Sequence, residues 1–323
     1  MTIIHKILSR QEFIEQPPVL LDIGASQSIN PKWKTIAKYS ICIAFDADSR
    51  DFEPDSVSSG TYRKLFVYNS LVADVDNEKA DFHLTKSPHC SSFLKPDQQS
   101  LGNWAFADLF QIEETLQLKS TTLKVILDDL KISYIDWFKT DSQGIDLRLF
   151  RSLESSIIQK ILVAEFEPGL IDAYHGEDKF YNLLSYMQSH PFWISEMNIK
   201  GSQRITPQSL MTAFNSFECK NVEYLLKTSP GWVEVSFVNN LKNNIFTKRD
   251  LLLAWIFAVL DQQYGFALEV VDICLKEFAH DRLFDLMKQW TLAKVRSHFY
   301  RKIPYIVYRK ILQKLSQFRE SIQ

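Results

Sequence analysis

The chain is poor in glycine, with nine in 323 residues, and in cysteine, with four. Few glycines means few turns that demand a left-handed backbone, so each one marks a position of interest. The cysteines, Cys42, Cys90, Cys219 and Cys274, lie far apart and form no C-x-x-C pair. That spacing argues against a disulfide framework and against a zinc site. It fits reduced thiols in a cytoplasmic protein. A long apolar run is missing too. The longest, residues 251–260 (LLLAWIFAVL), is about half of a bilayer span, so a buried helix is expected there and no transmembrane segment. The opening MTIIHKILSRQEF reaches charge too early for a signal peptide and lacks a small-residue cleavage site. Strong charge of one sign is also absent. A net charge of -2 is far from the basic profile of a nucleic-acid binder.

What remains is an ordinary globular mix, 46% apolar and 24% charged, which excludes wholesale disorder. The length is about two average domains. With 23 Phe, 12 Tyr and 7 Trp the chain can build a large aromatic core. Residues 19–23 (VLLDI) follow Pro17-Pro18 and end at Gly24, as a buried parallel strand does. Pro31 opens a helical stretch, PKWKTIAKY. A second strand, residues 41–45, stops at Asp46. Strand, helix and strand over about 30 residues make a βαβ unit with a right-handed crossover.

Further strands are expected over 65–68, 80–85 (an edge or hairpin arm), 134–138, 161–166, 192–197 and 222–226. Helices are expected over 123–130, 145–153 and 180–189. After about residue 245 apolar residues recur at helical spacing, with one glycine, Gly265. Three or four packed helices are expected there, the first capped by Thr247 or Asp250. The fold class is therefore α/β: a doubly wound Rossmann-like sheet over residues 1–240 and a helical C-terminal domain over 241–323.

Acids close several of the expected strands: Asp46, Asp141 and Glu167, with Gly24 at the end of the first. In an open α/β sheet ligands bind outside the carboxyl ends of the strands, so these residues converge on one cleft. The first turn reads Asp22-Ile-Gly24-Ala25-Ser26-Gln-Ser28, without the further glycines of a G-x-G-x-x-G fingerprint. A pyrophosphate needs that close backbone approach, so a dinucleotide is disfavoured. A ligand with a ribose and no phosphate fits better, with Asp46 accepting from both ribose hydroxyls. S-adenosylmethionine is such a ligand. The plain alternative is a tight turn at Gly24 and a helix cap at Asp46.

The stretches LLDIGASQSINPKWKTI and IAFDAD resemble the opening of the FkbM-type methyltransferases. LTKSPHCSSFL is similar to that family's Ser-Ser segment, YIDWFKTDSQGIDLRLFRSL to its Asp-x-x-Lys-x-Asp-x-x-Gly-x-Glu segment, and AEFEPGLIDAYHGEDKF to its Glu-rich strand and following Tyr-x-Gly. The four blocks fall in order across about residues 19–200, and the tail lies outside them. Ala47 and Asp146 depart from the family's usual Pro and Glu, and the 26–28 turn is poorer in glycine than in many members. The resemblance implies a class I methyltransferase fold and O-methylation with S-adenosylmethionine as cofactor. It implies that Asp22, Gly24, Ala25 and Ser26 line the methionine part, that Asp46 holds the ribose, and that Ser91, Ser92, Lys139 and Asp141 lie near the adenine or the reacting centre.

Methyl transfer to an alcohol needs alignment and a proton acceptor. Asp141 is the first candidate base; Glu167, Glu165, His89 and His175 are the others. Asp141 with Glu167 could instead hold a divalent cation, though no metal is assigned. Lys139 could be only a structural ion-pair partner of Asp141 or Asp136, and Gly144 a packing residue. The expected acceptor is a sugar hydroxyl of a surface polysaccharide or glycolipid precursor. Alternatives are a small secondary metabolite, or a non-catalytic binding module that keeps the fold. Residues 294–319 carry eight Lys and Arg, interleaved with aromatics and free of acids. This segment reads as a peripheral contact with the inner face of a membrane, as a partner-docking face, or as a solvated helix face. A homo-oligomer is left open, and no nucleic-acid partner is expected.

Overall fold

VLLDI and ICIAF are apolar on both faces, and strands of that kind must be covered on both sides. The computed structural model describes residues 2–25, 29–50, 61–243, 245–278 and 281–320, without the side chains of 298, 306, 312 and 315–320. It divides into two units, Ile4–Phe246 and a second holding Thr247 onward with the first residues of the chain. The expected boundary, 240/241, lies a few residues earlier.

In the first unit the two runs form β1 (Val19–Ile23) and β2 (Ile41–Phe45), parallel and in register, Leu21 beside Ile43 and Ile23 beside Phe45. With β3 (Lys64–Tyr68), β7 (Trp137–Thr140), β8 (Val163–Phe166), β9 (Phe192–Gln203) and β10 (Thr228–Asn239) they build a seven-stranded sheet, ordered β3-β2-β1-β7-β8-β10-β9. All neighbours are parallel up to β8; β10 runs antiparallel to both β8 and β9. A second sheet, β4-β6-β5, is made by β4 (Leu71–Val72), β5 (Asn77–Thr85) and β6 (Ile112–Thr121). The chain steps outward from β1 to β3 and then returns to β7 on the other side of β1. The strand order reverses there, at the carboxyl ends of β1 and β7.

Local differences from the sequence-based expectation have physical causes. The stretch after Pro31 forms two 3-10 turns, Pro31–Thr35 and Ala37–Tyr39, in place of an α-helix. Asn30 caps the first through its side chain, its Oδ1 accepting from Lys32 N–H at 3.1 Å. Tyr134 to Asp136 lead into β7 without joining it: the Tyr134 hydroxyl donates to the Pro17 carbonyl at 2.8 Å and the Asp136 carboxylate accepts from Val19 N–H at 2.8 Å. The strand expected over 222–226 is a short helix, Val222–Leu225, closed by Leu226 N–H donating to the Val222 carbonyl. Val222 is the only β-branched residue of that run. The strand that pairs with β8 and β9 is the alternating sequence just after it, β10.

Above the sheet lie the helices Leu123–Leu130, Asp146–Arg151 and Phe180–Met187. Phe150 is the junction of the core. Its ring meets Phe138 at 5.1 Å and Phe166 at 5.2 Å, edge to face, and Tyr186 and Phe192 at 6.3 Å. In the second unit the apolar run forms the helix Lys248–Leu260, buried along its length. Thr247 and Asp250 cap it reciprocally, so both candidate caps act together. Two helices follow, Tyr264–Glu277 and Arg282–Glu320, and the Trp255 indole N–H donates to the Thr291 hydroxyl at 3.0 Å. Among the described residues no helix is long and apolar enough to cross a membrane.

Because Phe150 is fully buried among four rings, Phe150→Ala is expected to cost about 3–5 kcal/mol, read as a lower urea midpoint with an unchanged slope.

Candidate functional site

β1 ends at Ile23, and Gly24 follows with φ of 78°. Its N–H, and that of Ala25, donate to the Phe45 carbonyl at 2.9 and 3.0 Å. A Cβ on Gly24 would stand 2.2 Å from the Asp141 carbonyl oxygen, so only glycine fits. Asp141 N–H donates in turn to the Ile23 carbonyl at 2.9 Å. Main-chain bonding thus sets the Asp141 carboxylate beside the first turn.

Asp46 closes β2 one strand away. Its N–H donates to the Tyr68 carbonyl at 3.1 Å, and its Oδ1 accepts from Asp48 N–H at 2.8 Å. Gly24, Asp46, Asp141 and Gln143 line one cleft, walled by Phe82, Phe93 and Ile145. The described lining carries two carboxylates and no Lys or Arg. Ser91 lines this cleft; Ser92 does not. The Ser92 hydroxyl donates to the Gln143 carbonyl at 2.7 Å and holds that loop in place. Ala25 is buried and does not line the cleft, and Ser26 lies outside the described residues.

Asp22 and Lys139 face each other across β1 and β7. The Asp22 carboxylate accepts from Lys139 Nζ at 2.8 Å and from Asn30 N–H at 3.0 Å. Lys139 therefore pairs with Asp22; Asp136 is taken up by the main chain of Val19. Burial works against the Lys139 cation, but the carboxylates of Asp22 and Asp141 outweigh it and hold its pKa above the ordinary lysine value. Lys139 also borders a separate recess with Glu165 and Glu167. There Glu165 accepts from Asn30 Nδ2 at 2.8 Å, and from Lys32 Nζ and the Ser236 hydroxyl at 3.2 Å.

A larger cavity of about 490 Å³ opens beside the cleft, and Asp141 and Gln143 line both. That volume suits a small ligand. Its aromatic wall is Phe106, Phe110, Tyr174 and Trp232. Phe106 meets Phe110 at 5.3 Å and Trp232 at 6.4 Å, and Phe110 meets Tyr174 at 5.7 Å. Glu167 and His89 also line it. His175 does not: its side chain is 62% exposed, with Nδ1 3.9 Å from Asp97. The site thus gathers Asp141, Glu167 and His89 and leaves His175 outside. Cys90 lines the cavity, and burial pushes its thiol up to about 11, so it stays protonated near neutral pH.

Two buried groups organise these carboxylates. The Asp146 carboxylate accepts from Thr140 Oγ1 at 3.1 Å, from Ser142 N–H at 2.9 Å and from the Ser142 hydroxyl, and from Glu167 N–H at 2.8 Å. It ties the ends of β7 and β8 together. Gln143, with φ of 56°, donates from Nε2 to Asp141 Oδ1 at 2.6 Å, and its Oε1 lies 2.9 Å from the Tyr174 hydroxyl. Tyr174 is itself fixed by Glu177, whose Oε1 accepts from Ala173 N–H at 2.6 Å, Tyr174 N–H at 3.2 Å and Lys179 Nζ at 2.7 Å. Burial raises the pKa of both Asp141 and Glu167, Glu167 the further: at Asp141 the Lys139 cation works against the rise, and at Glu167 the Asp141 carboxylate adds to it. Burial thus favours the neutral acid at both positions, and more strongly at Glu167.

Among the described residues no group of three or more His, Cys, Asp or Glu side chains is placed to hold a metal ion. Gln143, Trp232 and Glu177 carry no local sequence signal; only the fold brings them to the site. Asp146 could have been singled out as the acid two residues past Gly144. Comparison with family models, with curated proteins and with solved structures finds no match for the chain.

Breaking a buried ion pair strands the remaining charge. Lys139→Met is expected to destabilise the chain by about 3–5 kcal/mol, and the double variant Asp22→Asn/Lys139→Met by clearly less, in denaturant titrations.

Proposed function

We propose that the chain is an S-adenosylmethionine-dependent O-methyltransferase of the FkbM type, acting on a hydroxyl. The observation that carries this reading is the shared wall. Asp141 and Gln143 border both the cleft of Gly24 and Asp46 and the aromatic cavity. A cofactor in the first space and an acceptor in the second would meet at one carboxylate. The sheet supports the reading as well. Its order reverses between β1 and β7, which is where a doubly wound sheet takes its ligand. The antiparallel β10 departs from the all-parallel dinucleotide-binding pattern.

The residues fit this cofactor. The cleft offers Asp46 to ribose hydroxyls, apolar walls to a flat base, and carboxylates without a cation to a positively charged, phosphate-free ligand. When bound, S-adenosylmethionine supplies an activated methyl group on a sulfonium. The chain's own part is alignment and proton transfer. Gly24 and the Asp141 main chain fix the distance between the two spaces. Asp141, ionised and oriented by Gln143 and Tyr174, accepts the acceptor's hydroxyl proton. Glu167, protonated, acts as a hydrogen-bond donor in the cavity. The aromatic wall suits the face of a sugar ring, in a surface polysaccharide or glycolipid precursor, and excludes water. Its apolar character equally favours a small secondary metabolite.

Titration calorimetry with S-adenosylhomocysteine tests the cofactor. Binding heat at micromolar ligand is expected, lost in a folded Asp46→Ala protein; a folded wild-type chain that gives no heat sinks the reading. The base is tested by carbon-13 titration of the Asp141 carboxyl. Its midpoint is expected above the ordinary carboxylate range, so the carboxylate is lost as pH falls through that raised value. Gln143→Met removes a donor that favours the ionised form and is expected to move the midpoint up by about one pH unit.

A further inference from the structure

The basic segment of the tail belongs to one continuous helix, Arg282–Glu320, of 39 residues. Leu292, Val295, Phe299, Ile303, Val307 and Ile311 recur along it at intervals of three or four. All six are exposed, Phe299 by 57% and Ile311 by 53%. Successive members are neighbours on the helix surface, and because a spacing of four drifts by about 40° per step they make a broad apolar stripe that winds around the helix, with Pro304 along it. From 294 to 314 the same helix holds seven Lys and Arg and no acid. Lys294, Arg301 and Arg309 fall on the side away from the stripe, Lys302 borders it, and Arg296, Lys310 and Lys314 lie within its arc; Tyr300, Tyr305 and Tyr308 are exposed.

We infer that this helix docks in the plane of an anionic lipid bilayer. The stripe enters the acyl boundary, the tyrosines lie at headgroup depth and the cations meet lipid phosphates. The argument is one of joint satisfaction. A nucleic acid would neutralise the cations and leave the stripe wet. A second copy of the helix would cover the stripe and bring seven cations against seven more. An anionic bilayer satisfies both: the apolar side chains enter the acyl boundary while the cations, those within the stripe's arc on their long stems, reach the lipid phosphates, and basic residues near such a surface each add about fivefold in affinity. The helix is too polar to cross the bilayer, so it lies along it.

The test is sedimentation of the full chain with vesicles of phosphatidylcholine containing about one-third phosphatidylglycerol, against phosphatidylcholine alone. Binding to the anionic vesicles is expected, at least tenfold stronger than to the neutral ones. Arg301→Gln/Lys302→Gln/Arg309→Gln is expected to weaken it roughly a hundredfold. Phe299→Ser/Ile303→Ser is expected to weaken it at least tenfold, with helical ellipticity, melting midpoint and S-adenosylhomocysteine heat unchanged. A second neutralised set, Lys294→Gln/Lys310→Gln/Lys314→Gln, gives the same answer from other positions. The proposal is overturned by no binding to anionic vesicles or by binding that survives loss of the stripe. It is equally overturned by a solution dimer that Phe299→Ser/Ile303→Ser dissociates in a chain that ignores vesicles, or by capture of RNA in place of vesicles.

Discussion

Gly24 and the main chain of Asp141 touch, and the site exists because they do. The contact lies where the strand order reverses, so it joins the two halves of the sheet at the point where a ligand can enter between them. Any side chain at Gly24 would push β1 and β7 apart at their carboxyl ends. The hydrogen bond from Asp141 N–H to the Ile23 carbonyl then sets the Asp141 carboxylate beside the cleft. The Asp22–Lys139 pair reinforces the arrangement one layer below. Its two ends belong to the same two strands, and Asn30 N–H adds the far side of the first loop. A turn that only glycine can make, a buried ion pair and two main-chain bonds thus act on the same few ångströms.

The polar organisation around that point is layered. Asp146 is fully engaged by four donors, so its charge goes into holding the ends of β7 and β8 rather than into the cavity. Asp141 keeps one oriented bond, from Gln143, and faces the open space. Glu167 is positioned by its main chain and disfavoured as an anion by burial first and then by the carboxylates of Asp141, Glu234 and Asp146. Two carboxyl groups at adjacent strand ends and one at the start of the following helix therefore sit in three different environments, set by the donors and charges each one finds.

Much of this was legible in the sequence, and the reason is local. VLLDI and ICIAF announce buried parallel strands because nothing else tolerates apolar residues on both faces, and the acids at strand ends follow from topology alone. The residues that escaped are held by contacts distant in sequence. Gln143 matters through Tyr174, 31 residues on, and Trp232 reaches the cavity only because β10 folds back between β8 and β9. β10 itself was missed since its alternation starts beside Thr228-Ser229-Pro230, which reads as a turn, while the neighbouring run at 222–226 looked the better strand. Local pattern identifies elements that are buried on their own account. It is weak for those whose role is given by a partner.

Net charge hides a division of the same kind. At -2 the chain looks balanced, yet the last helix gathers cations without a single acid between 294 and 319, so everything before it is acidic by the difference. Uniform mixing would have placed acids within reach of those lysines and arginines, as the pairs Lys248–Asp281 and Lys288–Asp272 do between elements closer to the start of that unit. Among the described residues no ion pair is formed beyond Lys288, where the apolar stripe becomes exposed. Two costs, unpaired like charges and wet apolar residues, accumulate on the same stretch of helix, and both disappear together against a surface that is apolar at depth and anionic at its face. A stretch shaped only by solubility would relieve at least one of them within the chain itself.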